Sequence, residues 1–300
     1  MTYPIVEVPE DAPSQLEQLG SKAKFWFRAA DGTRTLFKEG YPGSGEHWAE
    51  KVACEVARGL GLPHAEYELA VWNGRVGVVS PTIVPEGGRL IHGNELLARV
   101  VPEYEETRRF RARQHTLGRV FAVLRSPRVG TPVGWARAPR VDNAVGVFIG
   151  YLLLDALIGN QDRHHENWGL IKLAEVGLTL APTYDHASSL GRNETDAARV
   201  ERLTTKDAGR SVGSYARRAK SGLYKSQSSR VPMTTFDAFV EGASMNTAAA
   251  ASWLDRLDQL SLAALESILG GVPSAVLSEP GREFALALML ENRKRLLSWE

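Results

Sequence analysis

The sequence lacks several features that would place it among secreted, membrane or zinc-scaffold proteins. It has 300 residues and one cysteine, Cys54, so we expect no intrachain disulfide and no cysteine zinc site. Its longest apolar stretch, from Ala144 to Ile158, is shorter than the roughly 20 residues that a membrane-spanning helix needs. The N-terminal segment is acidic and has no basic start before an apolar run, so it predicts no signal peptide. We therefore expect a cytoplasmic protein.

An excess of charge of either sign is also missing. The chain has 36 Lys and Arg against 35 Asp and Glu, a formal net charge of +1. This balance argues against a general binder of nucleic acid or membranes. Two local stretches are basic, residues 108–115 and 214–230. These stretches have three interpretations. The commonest is a solvated helix face, and the others are contact with nucleic acid and a docking surface for an acidic protein or an RNA-bound enzyme.

The first third of the chain has the alternating pattern of β-strands. Four such runs cover residues 23–29, 34–39, 66–72 and 75–80, and Asn-Gly between the last two is a strong hairpin signal. Between the second and third runs, residues 44–63 carry an apolar stripe at helical spacing. We predict an N-lobe over residues 1–83, made of an antiparallel sheet and one helix.

The rest of the chain is mainly helical in pattern. Residues 84–93 lie in a segment rich in proline and glycine, which predicts a hinge or linker. Residues 94–300 are predicted to form a larger C-lobe, and its helices are expected over residues 105–125, 141–159, 247–270 and 282–299. A short hairpin is expected around residues 174–177. The predicted class is α+β with two lobes, and a cleft between lobes is a natural ligand site.

The most polar cluster of the sequence, GNQDRHHENWG at residues 159–169, follows directly on the most apolar helix. Asp162 and Asn167 lie in this loop, and Asp185 follows the second strand of the hairpin, which would fold Asp185 back beside Asn167. Two carboxylates and an amide suit Mg²⁺, a hard cation that binds oxygen. Phosphoryl transfer needs positioning, metal charge and an acceptor for the proton of the nucleophile. We predict Asp162 as that acceptor and Asn167 and Asp185 as metal ligands.

A fixed cation for phosphates is the other requirement of phosphoryl transfer. Lys38 ends an apolar strand in the middle of the N-lobe, and Glu50 lies on the following helix at the border of its apolar stripe. Each taken alone is more commonly a solvated surface charge. Together with the loop downstream, they are predicted to pair and to place a cation at the phosphates.

Two segments carry a family resemblance. LIGNQDRHHENWGLI followed by LAPTYDHASSL resembles the catalytic core of HipA-like serine/threonine kinases, which are bacterial toxin kinases. The loop is also similar to that of phosphatidylinositol 3/4-kinases, and the resemblance spans roughly residues 20–190. It implies a protein-kinase-like fold, ATP and Mg²⁺ as cofactors, and a Ser or Thr of a protein as acceptor. A toxin of this kind would have an antitoxin-type partner protein.

The resemblance also implies roles for individual residues. Lys38 would contact the ATP phosphates, Glu50 would orient Lys38, and Asp162 would be the catalytic aspartate. The metal ligands would be Asn167 and Asp185. Two further side chains, His164 and Tyr184, would lie within reach of the nucleotide, and Ser21 is the positional candidate for autophosphorylation.

The sequence departs from related kinases in three places. It has no His-Arg-Asp order in the loop, and Tyr184-Asp185-His186 stands where conventional eukaryotic protein kinases have Asp-Phe-Gly, which excludes that group. The segment that would cover the phosphates has one glycine. Only about twenty residues precede the first predicted strand. The additional N-terminal subdomain of full-length HipA is therefore expected to be absent or to be a separate polypeptide.

Other interpretations of the cluster remain open. Three histidines invite a metal-hydrolase hypothesis, but no His-x-x-x-His pair lies on one helix face. We expect His165 and Glu166 to face solvent, His164 to brace the loop, and Asp155 to bond the loop backbone or Arg163. An inactive nucleotide-binding scaffold, a metal-dependent phosphohydrolase and a lipid or small-molecule kinase are the rival functions. An inactive scaffold would be expected to lack one of four residues, Lys38, Asp162, Asn167 or Asp185. All four are present, which favours an enzyme.

Overall fold

The computed structural model describes residues 2–12, 15–16, 23–108 and 111–299. The candidate autophosphorylation site Ser21 lies outside the described residues. The strands are β1 (Ile5–Glu7), β2 (Gln15–Leu16), β3 (Lys24–Arg28), β4 (Arg34–Glu39), β5 (Glu68–Trp72), β6 (Arg75–Pro81), β7 (Arg89–His92), β8 (Val129–Gly130), β9 (Gly169–Leu173) and β10 (Gly177–Leu180). The helices are α1 (Glu46–Gly59), α2 (Gly93–Val100), α3 (Leu117–Leu124), α4 (Ala144–Ile158), α5 (Asp196–Thr204), α6 (Val212–Arg218), α7 (Thr235–Met245), α8 (Thr247–Gln259), α9 (Leu262–Gly270) and α10 (Glu279–Leu297). This mixture of strands and helices agrees with the predicted α+β class.

The N-terminal part is a six-stranded sheet in the order β1-β5-β6-β4-β3-β2. The predicted hairpin is present, because β5 and β6 pair antiparallel around Asn73 and Gly74, both at positive φ. Two strands of this sheet, β1 and β2, were not predicted; β1 lies close to the N-terminus and pairs parallel with β5, and β2 pairs antiparallel with β3. The sheet is therefore not wholly antiparallel, and the expectation that about twenty residues precede the first strand is wrong. The three residues of β1 are half-buried or exposed, so this strand has no clear apolar pattern in the sequence.

The two faces of this sheet have different partners. Phe25, Phe27 and Phe37 are buried in an aromatic cluster on one face. Because successive side chains of a strand point to opposite faces, Lys38, next to Phe37 on β4, points to the other face. Helix α1 packs there with its stripe of buried residues, which includes Val52 and Val56. The alternation along β4 thus aims the lysine at α1.

Helix α4 is the centre of the C-terminal part. All of its residues are buried, and α7, α8 and α10 pack around it. Gly159 ends the helix in the left-handed conformation, with φ of 64°, and its N–H donates to the Asp155 carbonyl. The polar loop therefore leaves the core at a fixed point. None of the described helices, α4 included, has the length and apolar character needed to cross a membrane.

A second, four-stranded sheet has the order β7-β9-β10-β8. Strands β9 and β10 form the predicted antiparallel hairpin, with Leu170 opposite Leu180. Strand β7, which lies in the proline- and glycine-rich segment, extends this sheet by pairing antiparallel with β9. The boundaries of the two lobes and of the hinge at residues 84–93 stay predictions.

The helix predicted over residues 105–125 is mostly absent from the described part of that range, residues 105–108 and 111–125. There α3 is the one helix, and it begins after Thr116, whose hydroxyl accepts a bond from the Arg119 N–H. The described residues between Tyr104 and Thr116 form turns, and Arg111 has a φ of 59°. The basic run has no apolar stripe to bury against the core, so the helix starts where the apolar periodicity starts, at Leu117.

Candidate active site

Lys38 lies at the centre of a charged cluster between the first sheet and the polar loop. Its Nζ is 2.6 Å from Oδ1 of Asp185 and 3.4 Å from Oε2 of Glu50. The Glu50 side chain is 1% exposed, whereas those of Lys38 and Asp185 are 22% and 29% exposed. The structure thus brings together three predicted residues from β4, α1 and the segment after β10. The lysine and the aspartate remain partly exposed to solvent.

Glu50 holds Lys38 directly and holds Asp185 through the backbone of the next residue, His186. One carboxylate oxygen faces Lys38, and the other accepts a 2.6 Å bond from the backbone N–H of His186. The Asp185 N–H donates to the Tyr67 hydroxyl at 3.3 Å, and Asp185 has a φ of 59°, in the left-handed region. This strained backbone is held by contacts on both sides, as is typical of residues positioned for function.

Electrostatics keep this pair charged. Burial alone would lower the pKa of Lys38, but Asp185 and Glu50 oppose that effect and raise it well above its ordinary value. Burial would raise the pKa of the Asp185 carboxyl, but Lys38 holds it well below its usual range. A cation and a carboxylate therefore both persist across the physiological pH range.

The polar loop is closed by an amide. Asn167, which is 3% exposed, donates from Nδ2 to the backbone carbonyl of Asp162 at 2.7 Å. The Asp162 N–H donates in turn to Oδ1 of Asn160 at 3.3 Å. The Asp162 side chain is 21% exposed. The loop therefore leaves the Asp162 carboxylate partly exposed, and the bond from Nδ2 of Asn167 leaves the Oδ1 oxygen of that amide for a ligand.

A buried ion pair supports the loop from below, as predicted for Asp155. Arg163 donates through Nε and Nη2 to the two carboxylate oxygens of Asp155 at 2.7 and 2.8 Å, and both side chains are at most 2% exposed. Arg163 also donates to the Asn167 carbonyl at 2.7 Å and to the Thr183 hydroxyl at 3.0 Å. One guanidinium thus joins helix α4, the loop and the segment that leads to Asp185.

His164 braces the loop, as predicted. Its Nδ1 accepts the backbone N–H of Glu166 at 3.1 Å, so the ring proton of the neutral form is on Nε2. Nε2 lies 3.6 Å from Oδ1 of Asp162, which places the N–H beside the candidate catalytic carboxylate. His165 is an error in the sequence prediction, because it is buried and pairs through Nδ1 with the Tyr104 hydroxyl at 2.8 Å. Tyr104 comes from a distant segment, which sequence spacing does not reveal.

Tyr184 contributes to the frame of the cleft. Its hydroxyl donates to the Glu166 carbonyl at 2.8 Å and lies 3.0 Å from Nδ1 of His92. Sequence reasoning missed His92, which lies at the start of α2 in a capping box with Glu95. A Glu three positions after the cap residue is a recognisable signal, but it marks a helix start and gives no hint of a contact with Tyr184.

The donor atoms at this site fit Mg²⁺. The carboxylate of Asp185 and Oδ1 of Asn167 are hard oxygen ligands, and such sites use few protein ligands together with substrate phosphates. Asp185 uses Oδ1 for Lys38, which leaves Oδ2 for a cation. The residues predicted as metal ligands therefore have the right chemistry, and Arg163 braces the chain at Asn167 and at Thr183, two residues before Asp185.

A second group of possible ligands lies behind the segment that leads to Asp185, where His64 pairs with Thr183. Ligand atoms of Cys54, His64 and Glu66 lie within 4.8 Å of one another. Arg58 donates to both carboxylate oxygens of Glu66, and burial raises the pKa of the Cys54 thiol to about 12. A protonated thiol and a carboxylate already paired with arginine are poor ligands, so this group does not compete with the cleft as a candidate site.

The segment after α6 crosses over the polar loop. A Cβ at Gly222 would lie 2.6 Å from the Arg163 carbonyl oxygen and 2.7 Å from the His164 nitrogen, so glycine permits this close approach. Beside the crossing, Asp162 and His164 line a cavity of about 330 Å³. Its place next to the candidate catalytic carboxylate makes it the natural position for an acceptor group.

Comparison with solved structures identifies the fold of the chain. The sequence matches no model of a known protein family and none of the curated proteins with which it was compared. The crystal structure of the Helicobacter pylori proinflammatory kinase CtkA is similar, with a TM-score of 0.73 and 18% identity over 98% of this chain and 96% of that one. HipA from Shewanella oneidensis, solved with HipB and operator DNA, has a TM-score of 0.57 and 13% identity over 95% of this chain and 65% of that one. The resemblance to HipA-like kinases is thus confirmed for the fold.

Proposed function

We propose that the chain is an ATP- and Mg²⁺-dependent kinase that transfers the γ-phosphoryl group to a Ser or Thr hydroxyl of a protein. The observation that carries this proposal is the convergence of Lys38, Glu50 and Asp185 beside a loop that presents Asp162 and Asn167. A fixed cation, oxygen ligands for a metal and an exposed carboxylate are the parts that phosphoryl transfer requires. The kinase fold agrees with this assignment.

Each residue has a defined part in the proposed reaction. Lys38 binds the phosphates of ATP, and Asn167 and Asp185 hold Mg²⁺, which supplies positive charge against the phosphate oxygens. The acceptor oxygen bonds to the γ-phosphorus while the bond from that phosphorus to the bridging oxygen of ADP breaks. The hydroxyl proton passes to the carboxylate of Asp162, and ADP leaves with its own negative charge.

The rival functions differ in their products. A phosphohydrolase would release phosphate from ATP without a labelled acceptor, and an inactive scaffold would bind ATP without turnover. A lipid or small-molecule kinase would label a species that is not protein. Incubation with γ-labelled ATP and a bacterial lysate, followed by separation of protein, lipid and small molecules, distinguishes the four outcomes.

Removing the lysine is expected to abolish most nucleotide binding. Lys38→Ala and Asp185→Ala should remove the stabilisation by ATP and Mg²⁺, which is about 2.7 kcal/mol at a hundredfold excess over Kd. The ATP-dependent change in melting temperature is the measurement, because either variant also changes the stability of the free protein. Lys172→Ala, at an exposed position on β9, is the control and should retain the full change. If calorimetry detects no ATP binding by the unaltered chain at millimolar Mg²⁺, the proposal is wrong.

We also propose an antitoxin-type partner protein. The supporting observation is that HipA, which shares the fold, was solved in complex with HipB and operator DNA. Affinity purification of the tagged chain from its native cells should recover a second protein in a fixed ratio, and expression without that protein should slow growth. A chain that is recovered alone and is harmless when overexpressed would contradict both the partner and the toxin role.

A further inference from the structure

Two cavities meet at Arg111, Tyr224 and Pro232, and the smaller of them is lined by Asp162. The cavity of about 330 Å³ that contains Asp162 shares Arg111, Tyr224 and Pro232 with a larger, open cavity of about 810 Å³. The larger one lies between the turns before α3 and the segment after α6, which are the two basic stretches of the sequence. A chain whose hydroxyl reaches Asp162 can therefore extend past Arg111 into the larger cavity.

The larger cavity is mainly basic. Its lining includes four arginines against two glutamates. Arg108 pairs with Glu105 at 2.9 Å, but Arg111, Arg113 and Arg230 have no carboxylate within ion-pair distance in the part of the chain that the structure describes. Lys220, on the rim of the smaller cavity, has none there either. These four basic side chains are exposed, so their charges are available to a ligand.

The walls of this region are tied to each other and to the loop. Tyr224 is buried and exchanges backbone bonds with His115 and Leu117 on the other wall, at 3.0 and 3.2 Å. His115 donates from Nδ1 to the Gly222 carbonyl at 3.0 Å, since its Nε2 accepts the Trp168 indole N–H at 3.0 Å. Burial lowers the pKa of His115 to about 3, which keeps it in this neutral, bridging form. The described residues 111–115 and 220–232 of the two walls are therefore held together as one groove.

We propose that this groove selects the protein substrate by acidic residues that flank the acceptor hydroxyl, with their carboxylates bound by Arg111, Arg113 and Arg230. The inference rests on the proposed kinase function and names its substrate class. Arginine binds carboxylates with paired, planar hydrogen bonds. Among the described lining residues the one aromatic side chain is that of Tyr224, which is 4% exposed and offers no stacking platform for bases. These features favour an acidic peptide segment over RNA.

Matched peptides test the substrate class. Three peptides of one length would each carry a single serine, flanked by Asp and Glu, by Asn and Gln, or by Lys. The acidic peptide is expected to have at least about a tenfold higher kcat/KM than its amide counterpart, mainly through KM. This advantage should shrink at high salt, because exposed charge pairs are screened. A fluorescent acidic peptide with Ala in place of serine measures binding by anisotropy without any catalysis.

Arginine variants assign the effect to the groove. Arg113→Gln and Arg230→Gln remove charge at exposed positions, and Arg111→Asn does so with a residue that tolerates positive φ. Each should weaken binding of the acidic peptide up to about fivefold, and the triple variant at least about tenfold. Arg128→Gln, also exposed but lining neither cavity, should bind the peptide as the unaltered chain does. ATP affinity is measured for each variant to show that the cleft is intact.

The outcomes separate the two proposals. Equal phosphorylation of the three peptides would overturn the acidic selectivity and leave the kinase function standing. Absence of anisotropy change with the acidic peptide would overturn the groove assignment whatever the catalytic result. Binding of single-stranded RNA that the triple variant loses, without peptide binding, would assign the groove to RNA instead. If the unaltered chain does not bind ATP, or transfers phosphate to no acceptor, the proposed function itself is contradicted.

Discussion

Replacing Asp162 by asparagine is expected to lower turnover by about 10²–10⁴-fold, the usual contribution of a positioned general base. The amide has nearly the same shape as the carboxylate but cannot take the hydroxyl proton. The loop should keep its form, because Asn167 bonds to the backbone carbonyl of Asp162 and not to its side chain. ATP affinity should survive, since Lys38, Asn167 and Asp185 are unchanged.

Phosphoryl transfer from γ-labelled ATP to lysate protein, measured beside ATP binding, checks this result. Asp142→Asn, an exposed aspartate before α4, is the matched control and should transfer at the normal rate. Asp185→Asn should differ from Asp162→Asn by losing nucleotide binding and turnover together. Undiminished transfer by Asp162→Asn would refute the assignment of the base. His164, whose Nε2 lies 3.6 Å from Asp162, would then be the next candidate.

The parts of the site that the sequence predicted share one property: they follow from local pattern. The apolar helix and its glycine end fix where the polar loop emerges, and the alternation along β4 aims Lys38 at α1. The hairpin of β9 and β10 returns the chain toward the loop, which explains why Asp185 could be placed. The Lys38–Glu50 pair needed one more assumption, that the helix packs on that face of the sheet.

The errors arise where distant segments decide the outcome. His165 has the polarity of a surface residue, but Tyr104 supplies a buried partner from a segment about sixty positions earlier. Strand β1 depends on pairing with β5, and its own residues give no clear periodicity. Residues 105–116 have enough helix-forming residues to suggest a helix, but no apolar face to dock one. Their turns instead place Arg111 and Arg113 along the groove, which sequence spacing does not show.

The buried pair of Asp155 and Arg163 should have the largest effect on stability. Asp155→Ala leaves a guanidinium that is 1% exposed without its counter-ion, so the free energy of unfolding should fall by about 3–5 kcal/mol. This loss is a large part of the 5–15 kcal/mol that folded domains typically have. The exposed pair of Arg140 and Asp255 is the matched control. Asp255→Ala should cost at most about 1 kcal/mol, because surface ion pairs contribute little.

A double variant separates charge burial from the positioning of the loop. Asp155→Leu with Arg163→Met removes both buried charges, so it should recover part of the stability that Asp155→Ala loses. Activity should not recover, because Arg163 also donates to the Asn167 carbonyl and the Thr183 hydroxyl. These bonds position Asn167, a proposed metal ligand, and the segment that leads to Asp185. Urea unfolding measures the first effect, and phosphoryl transfer at a temperature where each variant is folded measures the second. If Asp155→Ala lowers the free energy of unfolding no more than Asp255→Ala does, or if the double variant transfers phosphate normally, the Asp155–Arg163 pair does not hold the loop. The geometry of Asp162 and Asn167 would then be set by the bonds within the loop, chiefly those of Asn160, His164 and Asn167.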